Sequence, residues 1–181
     1  MTNTTLIYDT YFEKQRQLND EKLQIWMDYT LFSWRWWLGV FLILLLIGFW
    51  IKFRKKESTD RLLYAGLFVA IFSSFLDMVG DFLGLWDYRY EVFPLTSNYL
   101  PWDLILLPIS MMFFIQVKPQ ISPIIKAVVY STLSSFIGLP LLNWIGLYKP
   151  LDWKYLYSFP ILIIIYLAGS YIASRKDFEK I

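Results

Sequence analysis

No cysteine and no histidine occur among the 181 residues. Without thiols there are no disulfides, no thiolate metal sites and no thiol nucleophiles. Without imidazole the usual general base and the commonest metal ligand are missing as well. Haem, zinc and serine–histidine chemistry are therefore not expected, nor is any metal or other cofactor. An excess of charge of one sign is also lacking. The 17 Lys and Arg against 15 Asp and Glu leave a net charge of +2, so nucleic acid is not an expected partner.

What the chain has in abundance is apolar bulk. It is 57% hydrophobic and 20% aromatic, with a mean hydropathy of +0.44. A soluble domain of this length has nowhere to put 9 Trp, 13 Tyr and 15 Phe together with several long apolar runs. The expected class is all-α, an integral membrane bundle of about five transmembrane helices with an N-terminal interfacial helical segment. The lipid bilayer is the obligatory partner, with a membrane protein or a second copy of the chain as possible further ones.

Residues 1–30 mix acids, bases and aromatics, and read as one or two short helices lying at the interface. Residues 31–181 form the transmembrane domain, with spans at about 36–53, 62–86, 101–117, 123–147 and 155–173. An aromatic belt of Trp34, Trp36 and Trp37 opens the first span. Lys52, Arg54, Lys55 and Lys56 follow it in place of a small-residue cleavage site, so it is expected to stay in the mature chain. Pro108 is expected to kink the third span, and Pro140 breaks the ladder of the fourth. Placing the loop after the first span inside puts ten of the 17 basic residues in the cytoplasm, Lys176 and Lys180 among them. The expectation is a bacterial plasma-membrane protein with its N-terminus outside and its C-terminus cytoplasmic.

The second span is the most informative. Gly66, Ala70, Ser73, Ser74, Asp77, Gly80, Asp81 and Gly84 share an arc of about 120° at helical pitch. Phe68, Phe72, Phe75, Val79 and Phe82 lie opposite. Small residues and acids would face protein while bulky ones face acyl chains. Ionisable groups at membrane depth are costly and mark candidate functional sites. From the helical rise, Asp81 would lie about 7–8 Å and Asp77 about 13–14 Å below Trp86. The candidate polar cluster is Asp77, Asp81, Arg35, Asp103, Arg89 and Trp86, gathered at the outer surface. It has two readings: an ion-paired network, with Arg35 or a loop base on Asp81, that only orients helices, or an outward-facing pocket for a cation, a proton or a polar headgroup. Candidate helix-packing positions are Gly66, Ala70, Ser73, Gly80 and Gly84, with Ser131, Ser134, Ser135 and Gly138 on the fourth span.

The two outer hairpins look alike. Gly84-Leu85-Trp86 leads to Phe93-Pro94, and Gly146-Leu147-Tyr148 leads to Phe159-Pro160, as a duplicated helix-hairpin unit would.

Several strings together carry a resemblance. They are Phe32-Ser33-Trp34-Arg35-Trp36-Trp37-Leu38, Leu76-Asp77 with Gly80, Leu85-Trp86-Asp87-Tyr88, Leu100-Pro101-Trp102-Asp103-Leu104, and Asp152-Trp153-Lys154-Tyr155-Leu156-Tyr157-Ser158-Phe159-Pro160. They resemble a family of small multi-pass integral membrane proteins of Firmicutes, without assigned function. The resemblance implies a bacterial plasma-membrane protein and supplies no catalytic residues. In that family an acid sits between the residues corresponding to Gly138 and Pro140, where this chain has Leu139. If the intramembrane acids work as a set, that loss argues against proton handling or transport.

Three function classes follow. The first is a non-enzymatic sensor, accessory or assembly protein with an outward-facing acidic and aromatic cluster. The second is a small oligomeric transporter or channel for a cation, proton or polar solute. The third is a lipid- or isoprenoid-active membrane enzyme using paired carboxylates, with Asp77 and Asp81 as its candidates.

Overall fold

A computed structural model describes residues 3–94 and 99–175. Lys176, Lys180 and part of the hairpin between the second and third spans lie outside the described residues. Apart from a two-stranded ribbon, the described chain is helical. Four helices are long and apolar enough to cross a membrane, and Pro101–Gln116 is a shorter apolar helix of the same bundle. At 1.5 Å per residue it spans about 24 Å, less than the ~30 Å of a hydrocarbon core.

The N-terminal segment corrects one expectation. Asn3–Ile25 forms a single helix, α1, continued by one widened turn at Trp26–Thr30, rather than one or two short helices. No glycine or proline interrupts this stretch, so nothing in its sequence breaks the helix.

Helix α2 (Trp34–Phe53) starts on a Ser33 cap whose side chain accepts from Trp36 N. Helix α3 (Thr59–Phe82) follows, and α2 packs chiefly against the helix that begins at Pro101. Strand β1 (Trp86–Tyr88) follows, then α4 (Pro101–Gln116), α5 (Pro123–Ile145), strand β2 (Tyr148–Pro150) and α6 (Tyr155–Ser174). At one end of the bundle Lys55 N donates to Gln116 Oε1, Gln116 Nε2 donates to Phe53 O, and Lys126 Nζ donates to Ile115 O at 3.0 Å. At the other end β1 and β2 pair antiparallel, Trp86 opposite Pro150 and Tyr88 opposite Tyr148. Helix α4 connects the two ends.

The paired strands explain the likeness of the two hairpins. Gly84 and Gly146 both adopt left-handed backbone, with φ of 65° and 87°. Leu85 N donates to Gly80 O, and Leu147 N donates to Leu142 O, so both helices end in the same reversal. Helix α3 therefore stops at Phe82, four residues short of the expected end of the second span.

Prolines sit beside widened turns for a physical reason. A helical proline cannot donate to the carbonyl four residues back. Five-residue spacing at Pro101–Leu106 precedes Pro108, and at Ser134–Gly138 it precedes Pro140, so the shift in hydrogen-bond register falls just before each missing donor.

Val69, Met111 and Tyr166, all fully buried, centre the main core between α3, α4 and α6. Gly66 packs against Met112, as a packing residue should. Ser131 and Ser135 are fully buried on α5, and Ser134 is half-buried beside them. Gly138 makes ordinary contact with Trp102. Gly84 is a correction: nothing lies near the site of an added Cβ, so it reverses the chain and packs no helix.

Candidate functional site

Asp77 sits one turn beyond Ser73 on the buried face of α3, where the small-residue stripe places it. Asp103 comes from the widened first turn of α4, on the neighbouring side. Ser73 Oγ donates to the Asp103 carbonyl at 3.2 Å and ties the two helices together at this level. The chain reversal at Gly84 then folds Trp86 back over α3. Its indole lies directly against Gly80, where a Cβ would overlap the ring. Trp86 is thus beside Asp77, not above it by the rise of an uninterrupted helix.

These residues line one cavity of about 220 Å³ under the β-ribbon. The Asp103 carboxyl, the Tyr88 hydroxyl and the Trp86 indole all lie close enough to Asp77 to interact with it. Burial, reinforced by the fields of Asp77 and Asp103, pushes the Tyr88 hydroxyl well above its ordinary value, so it stays a donor. Yet Asp77 Oδ2, Asp103 Oδ2 and Trp86 Nε1 are each buried without a hydrogen bond of good geometry. Two carboxyls face to face in an apolar wall repel unless a proton or a cation lies between them.

The walls are aromatic and aliphatic. Trp86 and Trp153 meet edge to face at 4.9 Å and 73°, and Tyr88 and Tyr148 lie 5.5 Å apart across the ribbon. Trp153 Nε1 donates to Ser158 Oγ at 2.8 Å, which holds the second indole in place. Leu139 also lines the cavity.

Of the six candidate cluster residues, the fold brings together Asp77, Asp103 and Trp86. Asp81 is half-buried beside them and contributes to the field at Asp77 and at Glu91. Arg35 does not line the cavity. Its Nε donates to Ile145 O at 2.9 Å, at the end of α5, and its guanidinium stands 4.5 Å over the Tyr90 ring. A cation there complements the negative helix end. Arg89 is exposed and contributes only its backbone, donating to Leu147 O. The cluster's ion pair instead joins Lys22 of α1 to Glu91 at 3.0 Å, with Trp26 Nε1 donating to Glu91 O. The paired carboxyls are Asp77 and Asp103, on two helices, not the Asp77 and Asp81 expected on one.

The sequence does not by itself place Tyr88, Tyr148, Trp153 and Leu139 at the site, although all four line the cavity. Tyr88 and Tyr148 were signalled by the two Gly-Leu-aromatic strings, which a pairing of the hairpins would have brought to one place. Among the described residues no group of three or more His, Cys, Asp or Glu side chains is placed to hold a metal. Compared with known proteins, the chain matches no family model, no curated protein and no solved structure.

Proposed function

We propose that this chain is a non-enzymatic sensor, accessory or assembly protein of the bacterial plasma membrane, and that the Asp77–Asp103 cavity is its ligand site, for a cation or a polar headgroup. In this reading α4 makes a fifth crossing, the N-terminus is outside and the cavity opens toward the outer surface. One observation carries it. Two carboxyl oxygens and an indole N–H from three segments are buried without a well-formed hydrogen bond around a single, largely apolar cavity. A network that served only to orient helices would satisfy its own polar atoms.

A path for solute through one copy of the chain has less support. Val69, Met111 and Tyr166 form a fully buried plug in the main core, close against the cavity-lining Leu107, Leu162 and Ile165. The enzyme reading keeps one specific support: facing carboxyls in an aromatic-lined cavity are equipped for acid–base work on a lipid.

The test is mass spectrometry of the protein released from native lipid discs, wild type beside Asp77→Asn. A specific molecule that accompanies wild type and is lost from the folded variant supports the proposal. The same ordinary lipids on both proteins overturn it. Chemical turnover of the accompanying molecule moves the assignment to the enzyme reading.

A further inference from the structure

We propose that the ligand of this cavity is an organic ammonium group, primary or methylated, carried by a small free amine or by a lipid headgroup. This rests on the cavity being a ligand site and adds the chemical class.

Charge comes first. Asp77 and Asp103 are 8% and 1% exposed and line the cavity, each with a buried carboxyl oxygen that lacks a well-formed hydrogen bond, and no basic side chain among the described residues lines it. The Arg35 guanidinium, one of the candidate cluster residues, is spent on Ile145 O and Tyr90. Beyond a proton shared by the two carboxyls, a compensating positive group would come from outside the chain.

The lining then selects the kind of cation. A hard metal ion takes six to eight oxygen ligands. Here Ser73 Oγ already donates to the Ala70 and Asp103 carbonyls, and Ser158 Oγ accepts from Trp153. What remains beside the two carboxyls is aromatic and aliphatic surface with the hydroxyls of Tyr88 and Tyr148 and the Trp86 N–H in it. Such walls pay for no stripped metal ion, but they suit a cation that carries its own carbon. An ammonium head has up to three donors for the carboxyl oxygens. Its methyl or methylene groups meet the faces of Trp86, Trp153 and Tyr148, an arrangement that attracts cations through the ring quadrupoles. The volume agrees. About 220 Å³ holds a head and short stem of roughly seven water-sized groups.

Trp86 Nε1, buried at 9% exposure beside Asp77 and without a well-formed hydrogen bond, supplies a single donor at the edge of the same space. It would receive a hydroxyl, ester or phosphate oxygen attached to the ammonium stem, as in an amino alcohol or its phosphodiester.

The experiment uses the full chain in discs of pure phosphatidylglycerol, which has no ammonium. Calorimetric titration with ethanolamine and with tetramethylammonium is expected to show binding. Asp77→Asn and Asp103→Asn are expected to weaken it at least tenfold, with sodium and calcium giving no comparable heat. Because an aspartate variant can fail to fold, Trp153→Leu is the second variant. It leaves both carboxyls and should weaken tetramethylammonium about tenfold. Discs containing phosphatidylethanolamine separate the sources. Stoichiometric retention of that lipid, with loss of free-amine binding, assigns the headgroup; unchanged free-amine binding assigns the soluble amine. If a neutral or anionic molecule accompanies wild type and no ammonium binds, the site stands and the ammonium assignment falls. If nothing accompanies it and no ammonium binds, both fall.

Discussion

The carboxyl of Asp77 on α3 faces that of Asp103 on α4, at a level where Ser73 joins the two helices. Two carboxyls so placed cost stability unless a proton or a cation lies between them, and their arrangement suits a site that receives a cation. The same relationship separates a binding site from an orienting network by the sign of a mutation.

Asp103→Asn gives the facing carboxylate an amide donor in an isosteric side chain. In the absence of ligand its thermal midpoint should rise, by an amount corresponding to about 1–2 kcal/mol. Binding of ammonium probes should be lost in the same variant. A lower midpoint, measured in discs by intrinsic fluorescence, would place the pair among the stabilising contacts instead.

Gly80 fixes the position of Trp86. In Gly80→Ala the new methyl overlaps the indole, which has the ribbon and Trp153 around it and little room to retreat. A cost of about 1–3 kcal/mol is expected, typical of overpacking. Displacement of the ring should appear as a red-shifted tryptophan emission that is absent in Gly80→Ala combined with Trp86→Leu.

Glu91 gives the fold a pH dependence outside the helical spans. Burial raises its carboxyl from 4.5 to about 7, against the opposing hydrogen bond from Lys22 and with the field of Asp81 adding to the rise. The folded state then binds more protons than the unfolded one between those values. Its contribution to stability is complete below pH about 4.5 and is lost as pH climbs through about 7. Thermal midpoints collected from pH 5 to 8 should fall for wild type and stay nearly level for Glu91→Gln. Equal slopes for the two proteins would rule Glu91 out as the source.

Arg35 should matter to the fold and not to the charge balance of the cavity. Arg35→Gln removes the cation at the end of α5 and the contact with Tyr90, at a cost of about 1–2 kcal/mol. Ammonium affinity should change less than threefold, by the same titration. A loss as large as that of Asp77→Asn would mean that Arg35 acts on the site.

Much of this was legible along the chain because it is local. The apolar run Trp36–Phe53 and the small-residue stripe through Gly66, Ser73, Asp77 and Gly80 declare helices and a protein-facing side. Asp103 was legible as an acid in a first helical turn after Pro101. What escaped depends on contacts between distant segments. The pairing of Tyr88 with Tyr148 needs two helices to reverse at the same height, and only the repeated Gly-Leu-aromatic string hints at that. Arg35 was expected near an acid because opposite charges attract, yet the carbonyl end of α5 and the Tyr90 ring hold it instead. Asp81 lies one turn from Asp77 on the same face, but the reversal at Gly84 lays Trp86 and Tyr88 against Asp77, leaving Asp81 at the edge.

The most direct test of the central claim is difference infrared spectroscopy on the full chain in phosphatidylglycerol discs, recorded before and after adding tetramethylammonium. The account predicts a change in the carboxyl region that disappears in both Asp77→Asn and Asp103→Asn while the amide bands stay those of the folded protein. A spectrum unchanged in wild type, or a change that persists in both variants, contradicts it.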